Sequence, residues 1–141
     1  MESSNKITPL FTLRNRIELT EYLKETQKKE LGWMIYQDII YDPMNSRFSG
    51  NMRIARFETP GFNTRIYAYE NDVLFSYSVP AYQNKGLRFY VNGRYGFTRK
   101  MDIWVRYSLS KYRDLNEVGS GLDQISGSRR SEIKVQFRYQ Y

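Results

Sequence analysis

Alternation of apolar and polar residues is the feature that most constrains this chain, and it is strongest at the C-terminus. From position 132 to 141, apolar or aromatic residues occupy every odd position and polar residues every even one. Because successive side chains of a β-strand point to opposite faces of a sheet, this period of two indicates a strand with one apolar face. The same period recurs upstream, with these apolar members: Leu31, Trp33, Ile35, Ile39 and Tyr41; Tyr67, Tyr69, Val73, Phe75, Tyr77 and Val79; Leu87, Phe89, Val91, Tyr95 and Phe97; Met101, Ile103, Val105, Tyr107 and Leu109.

These runs predict about seven strands in a single domain that covers residues 1–141. Their approximate bounds are 7–24, 30–42, 46–58, 63–79, 86–98, 100–112 and 129–141. Turn-forming residues separate the runs, and no crossover helix is indicated between them. We therefore predict an all-β fold, an antiparallel up-and-down meander of about seven to eight long strands.

Composition excludes several kinds of chemistry. The chain has no cysteine and no histidine, which rules out disulfides, Cys/His zinc sites, a cysteine nucleophile and a Ser-His-Asp triad. The acidic patch at Glu70, Asn71 and Asp72 has carboxylates suited to acid–base chemistry or to calcium binding. A β-bulge, or carboxylates that pair with arginines, explains this patch more simply. We therefore expect that the protein is not an enzyme and binds no metal or cofactor.

Two classes of protein have such strands, and periodicity alone does not distinguish them. A soluble antiparallel β-barrel or sandwich turns its apolar face inward and binds a ligand in its interior, whereas a transmembrane barrel turns that face toward lipid. Predicted strands of about a dozen residues exceed the usual five to six. Tyrosines near strand ends, connections that alternate in length and the aromatic terminal residue also favour the membrane barrel. The long connection at 113–128 is then an extracellular loop.

The membrane interpretation predicts an integral outer-membrane barrel that acts as a pore, an anchor or a surface platform, and it assigns a role to each face. The lipid-facing candidates are Ile103, Val105, Ile133, Val135, Phe137 and Tyr139. The lumen-lining candidates are Arg88, Arg94, Asp102, Arg106, Glu132, Lys134 and Arg138. This polar set either favours anionic solutes in a pore or fills a narrow barrel with ion pairs. Tyr141 is the candidate C-terminal signal for the barrel-assembly machinery.

The count of strands and the N-terminus bear on how complete the barrel is. Single-chain bacterial barrels have even numbers of strands, and open edges are not tolerated in lipid. Seven strands therefore imply either an eighth strand in the weakly patterned N-terminal third or a C-terminal part of a larger barrel. The first residues do not form a signal peptide, so the chain is cytosolic or its export signal lies upstream.

The net charge of +7 indicates anionic partners. Basic residues are spread over nearly every predicted strand, which suits lumen arginines or contacts with lipopolysaccharide better than a clustered nucleic-acid interface. We therefore expect outer-membrane lipid as the main partner and no nucleic acid.

Four stretches carry a resemblance to a known family: 33–43 (WMIYQDIIYDP), 65–75 (RIYAYENDVLF), 119–127 (GSGLDQISG) and 131–139 (SEIKVQFRY). They resemble the C-terminal β-barrel region of large Bacteroidetes outer-membrane proteins that also carry an N-terminal helix-hairpin-helix domain related to competence proteins. The resemblance spans about residues 30–141 and implies an outer-membrane location. No helix-hairpin-helix segment is present in the chain, so the DNA-binding property of that domain has no residues here to carry it.

Overall fold

A computed structural model describes residues 1–23, 29–119 and 124–141. Its described part is built almost entirely of strands, with one 3₁₀ turn at Phe62–Thr64. The strands are β1 (Glu2–Lys6), β2 (Phe11–Tyr22), β3 (Glu30–Tyr41), β4 (Phe48–Thr59), β5 (Ile66–Tyr67), β6 (Ala81–Tyr82), β7 (Asn84–Thr98), β8 (Met101–Tyr112), β9 (Glu117–Val118), β10 (Ile125–Ser126) and β11 (Arg129–Tyr139).

Seven of these strands form one antiparallel sheet in the order β1-β2-β3-β4-β7-β8-β11. Each long strand pairs with the next long strand in the sequence, so the predicted all-β up-and-down meander is confirmed. β1 and β11 lie at the two edges, and no pairing between them is found among the described residues. The sheet is therefore open rather than closed into a barrel.

The prediction of one continuous strand over 63–79 is wrong. In its place, residues 60–83 lie across one face of the sheet, and we call them the inner segment. Only β5 and β6 pair within it, supported by an isolated bridge between Glu70 and Ser78. The chain reverses at 72–76, where the Asp72 side chain accepts a hydrogen bond from the Val73 backbone N–H and Phe75 adopts a positive φ of 61°. This turn prevents a continuous strand although the apolar residues alternate.

The first predicted strand, 7–24, is also corrected. A turn at residues 7–10 precedes β2, and the Thr8 hydroxyl oxygen accepts hydrogen bonds from the backbone N–H groups of Leu10 and Phe11. β1 then pairs along the first half of β2. The sheet still has seven strands: the strand predicted at 63–79 is absent from it, and β1 supplies the additional N-terminal strand that was one of the two expected alternatives. Position 24, the end of the predicted strand, lies outside the described residues.

The connections separate cleanly by length. Those at 23–29, 60–83 and 113–128 leave one end of the sheet, the long-connection end, and those at 7–10, 42–47 and 99–100 leave the other, the short-turn end. The alternation in length is as expected. If 63–79 were a strand of the sheet, as predicted, every connection before it would leave the opposite end, and the short connection at 42–46 would lie with the long one at 113–128. Within 113–128, β9 pairs with β10, and residues 120–123 lie outside the description.

The two faces of the sheet have opposite characters. The inner face carries polar and charged side chains and is covered by the inner segment. Its apolar core is small and lies near the long-connection end, where Met34, Tyr36, Ala55 and Phe57 of the sheet pack with Ile66, Ala68 and Tyr82 of the inner segment. The outer face carries the alternating apolar residues and has no covering layer in the described structure.

Candidate functional site

The inner segment is held on the sheet by charged groups, and Glu70 is their centre. Its carboxylate is fully buried. It accepts hydrogen bonds from the Arg88 Nε (2.6 Å) and Nη2 (2.8 Å), from Arg106 Nη2 and from the Tyr82 hydroxyl (2.7 Å). Both carboxylate oxygens are thereby satisfied, and three of the four hydrogen bonds come from the cationic guanidinium groups of Arg88 and Arg106, as a buried charge requires.

Asp72 makes a second attachment two residues further along. Lys134 Nζ donates to its Oδ2 at 2.6 Å, and the Ser76 hydroxyl donates at 3.2 Å. Burial of the carboxylate opposes its ionisation, but the bonds from Lys134 and the Val73 backbone and the charge of Arg106 prevail, so its pKa lies below the usual value. The Asn92 side chain also donates to the Asp72 carbonyl oxygen at 2.9 Å.

Arg53 and Asp38 form a third buried group, which the sequence analysis did not single out. The two side chains face each other across β3 and β4, with Arg53 Nη2 donating to Asp38 Oδ2 at 2.8 Å. Arg53 Nη1 donates to the Tyr69 carbonyl oxygen at 2.8 Å, and its guanidinium lies 3.6 Å from the Tyr36 ring centroid. The sequence signal was present, because both residues occupy polar positions of adjacent predicted strands, but the apolar alternation in β4 is weak.

All seven lumen-lining candidates lie on the inner face, in two groups. Arg88, Arg106, Glu132 and Lys134 belong to the network around Glu70 and Asp72, with Glu132 half-exposed and 3.3 Å from Lys134. Arg94, Asp102 and Arg138 form a separate group at the short-turn end. The expected ion pairs are therefore observed, and the patch at 70–72 supplies partners for arginine. These acidic partners lie in the inner segment rather than in a strand of the sheet.

The group at the short-turn end borders a cavity of about 330 Å³. Arg94 donates to Asp102 Oδ1 through Nε (3.0 Å) and Nη2 (2.7 Å), and Arg138 donates to Oδ2. Both guanidinium groups also lie over Trp104, at 5.6 Å and 5.3 Å from its ring centroid. Two turn residues that the sequence analysis did not consider, Arg47 and Arg99, line the same cavity.

The lipid-facing candidates all lie on the outer face. The side chains of Ile133, Val135 and Phe137 are 69%, 63% and 55% exposed. Val105 and Tyr139 are exposed as well, and Ile103 is partly buried between its neighbours. Tyr141 is fully exposed. The soluble alternative expects Ile133, Val135 and Phe137 to pack against protein atoms, which is the reverse of their placement here.

The apolar band of the outer face is bounded at both ends. At the short-turn end lies an aromatic row made of Phe11, Tyr41, Phe48, Tyr95, Phe97 and Tyr139. At the long-connection end lies a charged row made of Glu21, Arg56, Glu58, Lys85, Lys111 and Arg129. Between the rows, the Gln37 side chain donates a hydrogen bond to Asn15 Oδ1 at 2.9 Å, so these two polar residues pair with each other.

Within the described residues, no helix has the length and hydropathy needed to cross a bilayer. Comparison of the chain with models of protein families, with curated proteins and with solved structures finds no match.

Proposed function

We propose that this chain forms part of the wall of an outer-membrane β-barrel and acts as a membrane-embedded anchor or surface platform without catalytic activity. The proposal rests on one observation. The outer face of the sheet has an exposed apolar band, bounded by an aromatic row and a charged row, and the inner face of the same sheet has buried ion pairs. Water-soluble proteins arrange the two kinds of residue the other way round. The resemblance of 30–141 to Bacteroidetes outer-membrane barrels points in the same direction.

The height of the band suits a bilayer. On β3 it covers residues 33–41. Nine residues at roughly 3.3 Å each, tilted by about 40°, rise about 23 Å, close to the roughly 25 Å apolar band of known outer-membrane barrels. Tyrosine and phenylalanine then lie at one membrane interface, where their rings contact both acyl chains and water.

The connections suggest an orientation. Outer-membrane barrels have short periplasmic turns and longer extracellular loops. The long-connection end would therefore face outward, and the basic members of the charged row (Arg56, Lys85, Lys111 and Arg129) would lie near the phosphates of lipopolysaccharide. In the same orientation the C-terminal aromatic residue, Tyr141, would be presented to the assembly machinery on the periplasmic side.

The open edges and the filled inner face refine the proposal. Unpaired backbone groups on β1 and β11 would each cost several kcal/mol in lipid, so further strands must close the wall. The inner segment occupies the inner face through buried ion pairs, which favours an anchor or platform over an open pore for small solutes.

The two tryptophans provide a direct test, because Trp33 lies on the outer face and Trp104 is buried on the inner face. The chain has only these two. The variants W104F and W33F each leave one reporter, and each is refolded into vesicles whose acyl chains carry bromine as a quencher. We expect strong quenching of Trp33 and little quenching of Trp104. A monodisperse, cooperatively folded monomer in water, or equal quenching of both, would refute the proposal and favour the soluble barrel or sandwich.

A further inference from the structure

The cavity at the short-turn end has more positive charge than the protein balances. Its lining includes four arginines and one carboxylate, an excess of three positive charges: Arg47, Arg94, Arg99 and Arg138 with Asp102. Asp102 pairs with Arg94 and Arg138 only, and neither Arg47 nor Arg99 has an ion-pair partner among the described residues. Elsewhere on the inner face, Arg53, Arg88 and Arg106 each meet a carboxylate of the protein.

The four arginines line one space, and the fold fixes the side chains of two of them. Arg94 and Arg138 come from the strands β7 and β11 and are fixed by Asp102 and by Trp104. Arg47 and Arg99 come from the two neighbouring turns. The backbone N–H of Gly96 donates to the Arg47 carbonyl oxygen at 2.8 Å, which ties the first of these turns to β7.

Polar groups at the cavity also have donor capacity to spare. The Nε of Arg138 is enclosed by protein and has no hydrogen-bond partner among the described residues, so it adds positive charge beside the cavity rather than a donor that opens into it. The hydroxyl oxygens of Ser46 and Thr98 accept hydrogen bonds from the backbone N–H groups of Phe48 and Lys100, so their own protons remain to be donated. A group with several acceptor oxygens and a negative charge would satisfy this set.

We propose that this cavity binds a phosphate group. Planar guanidinium groups bind oxyanions through two parallel hydrogen bonds, and a phosphate monoester carries between one and two negative charges at neutral pH. A water molecule takes about 30 Å³ of liquid, so the cavity has the volume of roughly ten waters, enough for a phosphate and part of the molecule that carries it. The source is either a phospholipid headgroup or a soluble phosphate ester. Only the lipid source rests on the proposed function.

The binding test uses the purified chain in a maltoside detergent, which contains no phosphate. Inorganic phosphate is titrated at constant ionic strength, with chloride as the comparison anion, and binding is followed by calorimetry. We expect saturable phosphate binding that the double variant R47Q/R99Q weakens at least tenfold. These two arginines pair with no described carboxylate, so the variant retains the ion pairs of Asp102.

A matched control separates a specific site from general charge. R113Q/R130Q removes the same charge from exposed arginines at the long-connection end of the sheet and should change the dissociation constant less than twofold. R47K/R99K retains charge but loses the two-pronged geometry, so its affinity should lie between those of the wild type and the glutamine variant. Absence of saturable binding, or equal loss in both glutamine variants, would overturn the proposal.

The source of the phosphate is tested in a second arm, with micelles that contain phosphatidic acid. Competition of this lipid with inorganic phosphate, abolished in R47Q/R99Q, assigns the site to headgroups, whereas binding of phosphate without competition assigns it to soluble esters. Both results support a phosphate site. Phosphate binding together with equal bromine quenching of Trp33 and Trp104 would keep the site and reject the membrane placement, so the two proposals fail separately.

Discussion

Glu70 joins the inner segment to two strands of the sheet at a single carboxylate. In E70Q the side chain retains its size but loses its charge, which leaves Arg88 without its ion-pair partner and Arg106 with only the more distant carboxylates of Asp72 (3.8 Å) and Glu132 (3.9 Å). Breaking a buried pair from one side costs about 3–5 kcal/mol, so we expect a loss of that order in the free energy of unfolding. Denaturant titration of the folded protein in detergent measures it.

The matched control is E2Q, since Glu2 forms an exposed ion pair with Arg14 at 3.6 Å. Exposed pairs contribute about 0–1 kcal/mol, and the control should therefore unfold nearly as the wild type does. Proteolysis within residues 60–83 should accelerate in E70Q and remain unchanged in E2Q. Equal stability of the two variants would mean that the charge of Glu70 does not hold the inner segment on the sheet.

Asp72 gives the inner segment a dependence on pH. Its folded pKa is lowered, so its contribution to stability is complete above the unfolded pKa of about 3.9 and is lost as pH falls through the folded value. The D72N variant lacks the charge at every pH. We expect the stability difference between wild type and D72N, measured by urea unfolding, to be largest near pH 7 and to shrink below about pH 4. A difference that stays constant with pH would contradict this assignment.

Among the elements, β11 offers the sharpest test of the outer face, because two exposed positions on it lie at different heights. Val135 is within the apolar band and Ser131 is next to the charged row. In a bilayer, V135K should cost about 2–4 kcal/mol and S131K about 0–1 kcal/mol, since the penalty for lysine depends on depth. Urea titration in vesicles measures both. In a water-soluble protein the two substitutions would be nearly equivalent, and that outcome would exclude lipid contact.

The same elements explain how far the sequence predicted the structure. Period-two alternation located β3, β7, β8 and β11 because each has one face in contact with protein and the other free of it. It failed at 63–79, although Ile66, Ala68 and Glu70 are buried and the tyrosines between them are exposed. Alternation reports which way side chains point but not what the backbone pairs with. Here distant charges, the arginines of β4, β7 and β8, decide the placement.

The period-two alternation also did not identify β1 or the two turn arginines, for different reasons. β1 is polar on both faces and fully exposed, so it has no alternation to detect. The candidates on the inner face were located correctly, because period two assigns a face. Arg47 and Arg99 were not found, because they belong to turns and reach their cavity only through the arrangement of three strands and two connections.

At the scale of the whole molecule, a wall that crosses a bilayer must have its two ends in different compartments. The chain has no cysteine, so single cysteines can report on each end. N45C lies in a short turn and S126C in β10 of a long connection, and both positions are exposed. In sealed vesicles, a maleimide that does not cross membranes should label complementary fractions of the two variants, whatever the proportion of each orientation.

Dissolving the vesicles in detergent should make both cysteines fully reactive, which controls for intrinsic accessibility. Full labelling of both in sealed vesicles would place the chain in water, and equal labelled fractions that do not add up to one would place the two ends on the same side. Complementary labelling requires that strands of 11 to 15 residues cross the bilayer. The exposed outer face then has a physical reason: its apolar side chains contact acyl chains, and the charged layer behind them is stable because it pairs within the protein.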